Sequence, residues 1–168
     1  MPLHAAHIPD YTGFDIIAPD RIEADPLRCA YAYWRSIRGD RRFPARSDIR
    51  PRDIAGLLRY VSLIKVEDDE FVYRIVGDAT VRAYDVAMHN RKISEMAYEE
   101  PGFTSIVRPL LLHCVESGDV VAVRGHTGRD LLRVNFTDYE NLLLPLGPDN
   151  ATVDHVMTVS HYASQPYI

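Results

Sequence analysis

Two blocks of strand-like alternation, separated by a stretch that cannot be strand, limit the folds open to this chain. In the first block Tyr60, Ser62, Ile64 and Val66 alternate with Val61, Leu63 and Lys65. After the acidic turn Glu67-Asp68-Asp69-Glu70 the alternation resumes over 71–76. Successive strand side chains point to opposite faces, so Phe71, Tyr73 and Ile75 share one face and Val72, Arg74 and Val76 the other. The pair reads as an antiparallel hairpin. The second block holds strands over 120–124, 139–146 and 152–162, with Gly147-Pro148-Asp149-Asn150 as a turn and Gly125 and Gly128 as earlier breaks. Pro145 predicts an edge or a bulge near its strand end. Hairpins divided by helices exclude an alternating parallel plan. They predict an α+β fold, a five-stranded antiparallel sheet with short helices over one face.

The intervening segment RIVGDATVRAYDVAMHNRKISEM turns often. Asp78 is placed to cap a helix over 79–84, and Ile93 and Met96 support another short turn. Pro101-Gly102 breaks the chain before a longer helix over 103–116, whose stripe is Phe103, Ile106, Val107, Leu110, Leu111 and Cys114. Pro109 inside it costs a backbone hydrogen bond and predicts a bend. Ahead of both blocks, Asp25-Pro26 reads as a cap and first helical residue, and Gly39 as the stop. Leu27, Ala30, Tyr31, Trp34 and Ile37 form one apolar stripe between them. The expected organisation is an arm over 1–24, a flanking helix and basic connector over 25–57, a core over 58–163 and a tail over 164–168.

Composition narrows the function classes. The net charge of −5 argues against general nucleic-acid binding. Between Arg35 and Arg52 there are seven arginines against two aspartates. That segment reads as a solvated connector, with docking of an acidic partner or phosphate as the alternative. No apolar run is long enough to cross a bilayer, and the N-terminus lacks a secretory pattern, so the expected setting is cytoplasmic. Cys29 and Cys114 have no metal-ligand spacing and read as free thiols. No phosphate loop, Gly-x-Ser-x-Gly or His-Glu-x-x-His string occurs, which makes an uncharacterised enzyme the minor reading.

The aligned side chains offer candidates for a binding site. Tyr73, Tyr84, Met88 and Met96 suit either an adaptable cavity wall or ordinary core packing. Arg74, on the face opposite Tyr73, needs a carboxylate, a ligand acid or solvent. His155 and His161 share a strand face but stand about 20 Å apart, too far to ligate one metal.

The element order resembles that of PAS-fold sensor domains, and more narrowly the short stand-alone PAS-like proteins of proteobacteria. The residues that carry this resemblance are Tyr33-Trp34 with Arg38-Gly39, Phe43-Pro44-Ala45-Arg46, and Asp48-Ile49-Arg50-Pro51. Phe71-Val72-Tyr73-Arg74-Ile75-Val76-Gly77 and Leu143-Leu144-Pro145-Leu146 complete the set, and the resemblance spans residues 27–162. Two positions depart from the family pattern. Asp85 and Asn90 stand where glycine is usual, and both types tolerate positive φ, so left-handed turns are expected there.

The resemblance implies a sensory module whose short helices close over a small cavity. It makes His113 on the long helix the candidate haem ligand, although His113 sits at the margin of the apolar stripe, so haem is not favoured. The light-sensing flavin variant needs a reactive cysteine in a motif that neither Cys29 nor Cys114 occupies. Acting without a fused output domain implies a protein partner, either a second copy or a signalling protein. Leu27, Tyr31, Trp34 and Ile37 are the expected dimer or partner surface, the alternative being that the helix caps its own sheet. A ligand-free adaptor is the alternative function.

Overall fold

The computed structural model describes residues 14–97, 101–126 and 136–163. The first part of the expected arm, Gly128 and the tail over 164–168 lie outside the described residues. The strands are β1 (Phe14–Ile17), β2 (Val61–Glu67), β3 (Glu70–Ile75), β4 (Val121–His126), β5 (Asp138–Leu146) and β6 (His155–Ala163). The helices are α1 (Asp25–Arg38), α2 (Asp78–Tyr84), α3 (Ile93–Met96) and α4 (Pro101–Ser117). All strand pairs are antiparallel, in the order β1-β4-β5-β6-β2-β3.

The α+β plan expected from the alternation is therefore present, with one strand more than expected. β1 lies inside the segment read as an arm. Its four residues, Phe14-Asp15-Ile16-Ile17, are too few to show a period. What makes them a strand is the open hydrogen-bonding edge of β4, on which Phe14 aligns with Gly125 and Ile17 with Ala122. A second boundary also moves. The alternation read from Tyr60 becomes strand only at Val61, because 3-10 helix runs from Pro51 to Tyr60.

Register divides the sheet into two faces. Asn141 stands opposite Ser160, Leu143 opposite Thr158, and Ser62 also opposite Thr158, so these residues share one face. Glu140, Leu142 and Leu144 in β5 and Met157, Val159 and His161 in β6 belong to the other. Helices α2 and α4 cover the first face, and α1 packs against β5 and β6 on the second.

The α1 stripe divides accordingly. Leu27, Ala30 and Trp34 are buried, whereas Tyr31 and Ile37 are half-buried. Trp34 Nε1 donates to the Pro145 carbonyl at 3.0 Å. This corrects the expected partner surface, because Leu27 and Trp34 are core residues of their own domain. The helix start also differs: α1 begins at Asp25, and no side chain of its own caps it. Glu140, 117 positions away from Glu23, instead accepts from the Glu23 and Ala24 amides at 3.1 and 2.7 Å. The same carboxylate receives Arg124 Nη2 at 2.8 Å. This is a charge-assisted strut joining α1, β4 and β5.

The connector after α1 is pinned down. Arg41 pairs with Asp48 at 2.8 Å, and Arg42 donates to the Ser117 carbonyl and lies 3.8 Å from Asp119. The Arg50 amide donates to the Tyr33 hydroxyl at 2.9 Å. Phe43 and Pro44 are buried beside Gly147, whose amide donates to the Pro44 carbonyl at 3.0 Å. A Cβ at Gly147 would meet the Thr152 carbonyl at 1.7 Å and the Phe43 ring at 2.7 Å, so only glycine lets the connector lie this close. Tyr33-Trp34, Phe43-Pro44 and Pro145 thus form one junction that docks α1. Pro145 fits because β4 ends at Val121, opposite Leu143, so no β4 bond is lost there.

Candidate functional site

Between the sheet and α2 and α4 lies a cavity of about 30 Å³. Ser62, Asn141, Thr158 and Ser160 line it from the middle of the sheet, and Leu143 lies beside them. Tyr73 and Tyr162 reach it from β3 and β6, Thr80 and Tyr84 from α2, and Phe103, Val107 and Leu110 from α4. The Tyr84 ring packs edge-on against Phe103 with centroids 4.7 Å apart, and the Thr80 and Tyr162 hydroxyls are 3.4 Å apart.

Local sequence explains how these groups arrive. Gly77 ends the hairpin and leads into α2. A Cβ there would meet the Arg59 and Val61 carbonyls at 2.6 and 2.8 Å, so the chain turns against β2 only because the residue is glycine. The Gly77 amide donates to the Ser62 hydroxyl at 3.1 Å, which occupies one of the cavity's polar groups. Asp85 then ends α2 at φ 52°, and Asn90 follows at φ 59°. Both positive φ values match the expectation for residues standing in place of glycine. The turn at Asn90 lets residues 90–92 lie along the edge of β3: the Asn90 amide donates to the Tyr73 carbonyl at 2.7 Å, and the Tyr73 amide to the Arg91 carbonyl at 3.1 Å. Tyr73 is thereby held at the cavity.

The middle of this wall is unusually polar for a core. The side-chain oxygen of Asn141 is buried and has no hydrogen-bond partner among the described residues. Burial raises the phenols of Tyr73, Tyr84 and Tyr162 above their ordinary range, and Tyr139 is pushed up to about 12. They are neutral hydroxyls at any physiological pH.

Of the residues expected at a binding site, Tyr73 and Tyr84 line the cavity. Met88 and Met96 are buried in the core but do not line it. Arg74 is corrected from ligand candidate to surface residue: it is exposed on the edge strand, 3.3 Å from Glu67 and 3.3 Å from the Asn90 side-chain oxygen. His113 is half-buried on α4 and absent from the cavity wall. Haem does not fit these residues, since a cavity of about 30 Å³ is far too small for it and its wall presents no imidazole. A flavin adduct does not fit either. Cys29 is exposed on α1, and Cys114 is a buried thiol whose desolvation raises its pKa, with its sulfur 4.0 Å from the Leu143 carbonyl. Among the described residues no group of three or more His, Cys, Asp or Glu side chains gathers to hold a metal.

Sequence reading missed the polar residues of the wall. Ser62, Asn141, Thr158 and Ser160 lie within or beside the expected strands, and none of them was singled out as a site residue. The available signal was their register: all four sit on the face that also carries Leu143 and Tyr162.

No curated protein and no solved structure matches the chain. A family model described as PAS domain matches residues 22–160, from the residue that precedes the Glu140-capped entry to α1 through Ser160 in the cavity wall. The chain belongs to the PAS domain family.

Proposed function

We propose that this sensory module takes a small ligand into the cavity beneath α2 and α4 and passes the bound state to another protein. The single observation that carries the reading is the buried, unpartnered Asn141 oxygen in a cavity wall built from four small polar side chains. A core selected for stability alone fills such a place with apolar side chains, because an unmatched buried polar group costs about 1–3 kcal/mol. Placing it beside α2, a helix of seven residues, couples occupancy to the position of that helix. The setting is cytoplasmic, and no helix of the described residues is long and apolar enough to cross a membrane. Output passes to a second copy or a signalling partner, with Tyr31 and Ile37 the part of the α1 stripe still near the surface.

Native mass spectrometry of the full chain after incubation with a small-metabolite extract tests this reading. A defined adduct lost in Ser160→Leu, whose larger side chain fills the cavity, is expected. A bare chain mass in every fraction would sink it. That result would favour the ligand-free adaptor, a reading supported by the small size of the cavity, about 30 Å³.

A further inference from the structure

The cavity wall has a definite chemical character. Ser62, Thr80, Asn141, Thr158, Ser160 and Tyr162 offer hydroxyls and an amide. Among the described residues no Lys, Arg, His, Asp or Glu lines it. The nearest ionic groups of β5 and β6, Glu140 and His161, lie on the opposite face of the sheet. A charged ligand would therefore lose its hydration without meeting a counter-ion, which is far costlier than burying a neutral polar group. An apolar ligand fails for the converse reason. It would leave the Asn141 oxygen unmatched.

We infer that the ligand is a small neutral molecule that donates a hydrogen bond to the Asn141 side-chain oxygen, an amide, urea or alcohol of a few non-hydrogen atoms. This rests on the sensory-ligand reading above and adds its chemical class. The volume of about 30 Å³ sets the size, since one water needs about 10–15 Å³ on the same measure. Asn141 is then the residue that determines specificity, with Ser160 opposite it in register as the second contact.

The test is a parallel titration of the isotope-labelled full chain with formamide and with formate, which match in size and differ in charge. Molecules this small bind no tighter than roughly millimolar, so spectra are followed to about 100 mM. Formamide is expected to give saturable shifts at the Asn141 side-chain amide, Ser160 and Thr80, and formate none at these positions. Asn141→Leu is expected to weaken formamide binding at least tenfold while raising the thermal midpoint of the ligand-free protein, an increase that a merely structural asparagine would not produce. Ser160→Ala, a smaller change to the wall, is expected to weaken it several-fold with the fold retained. Equal or stronger shifts with formate would overturn the neutral class and leave the ligand reading intact. No saturable shift with either probe overturns the inference as well. A metabolite adduct in the native mass experiment then keeps the broader reading, and its absence removes both.

Discussion

The two faces of the central strands solve the problem of buried polarity in opposite ways. Under α1, Glu140 is 8% exposed, yet its carboxylate is matched by two backbone amides and the Arg124 guanidinium. One residue further along β5, on the cavity face, Asn141 keeps a buried oxygen with no partner. Adjacent residues of one strand thus serve different ends. On the α1 face the buried carboxylate is fully matched, whereas on the cavity face one acceptor, the Asn141 oxygen, is left unmatched. Arg38 Nε and Thr104 Oγ1 are also buried without a hydrogen-bond partner among the described residues, so what sets Asn141 apart is its place in the cavity wall.

Substitutions at four positions sharpen or break this contrast. Trp34→Ala removes the anchor of the α1 face together with its bond to Pro145, and a loss of about 4 kcal/mol is expected in denaturant unfolding. A variant of full stability with a changed oligomeric size would reverse the assignment of Trp34 to the domain core. Asn141→Asp places an acid in a wall without cations. Burial raises the folded-state pKa of such an acid, so stability is kept below the unfolded value near 4 and lost as pH rises through the folded one. A deficit of about 3 kcal/mol against the parent at pH 7, shrinking in acid, is expected from thermal melts across pH. A pH-independent difference would mean that the wall accommodates charge.

Glu140→Gln tests the closed face. Its carboxyl is held below the ordinary 4.5 by the Glu23 and Ala24 amides and Arg124, against the opposing effect of burial. Its contribution is therefore complete above that value and lost as pH falls through the lowered one. The variant is expected to cost about 2 kcal/mol at neutral pH and to melt like the parent in strong acid. Equal stability at pH 7 would show the strut to be dispensable. The smallest effect is expected at Asn90, which holds φ 59°. Asn90→Ala is expected to cost about 1 kcal/mol and Asn90→Gly to cost nothing, by the same melts. Equal losses in both would assign the role to the Asn90 side chain and its contact with Arg74.

Much of the architecture was legible because its signals are local. Period two marks β2 and β3 from Ser62 to Tyr73, the stripe from Leu27 to Ile37 marks α1, and Asp85 and Asn90 declare left-handed turns by residue type. The cavity was legible only in part. Tyr73 and Tyr84 are large and aligned with core faces, so they stood out. Asn141, Ser160 and Thr158 did not, because a polar residue in a strand reads as solvent-facing until a helix is known to cover it. Arg74 and His113 misled for the complementary reason: their chemistry suits a ligand, but position places one on an edge strand and the other on α4 outside the cavity wall.

The chain by itself determined where strands alternate, where α1, α2 and α4 begin and stop to within two residues, and that Asp85 and Asn90 take positive φ, since each depends on neighbours a few positions apart. Only the tertiary structure decided that four residues near the N-terminus become β1, that Glu140 accepts from the Glu23 amide 117 positions before it, and that Asn141 is left unmatched. Those outcomes depend on which surfaces meet across the sheet. A period of two says that the faces differ, but not what covers each of them.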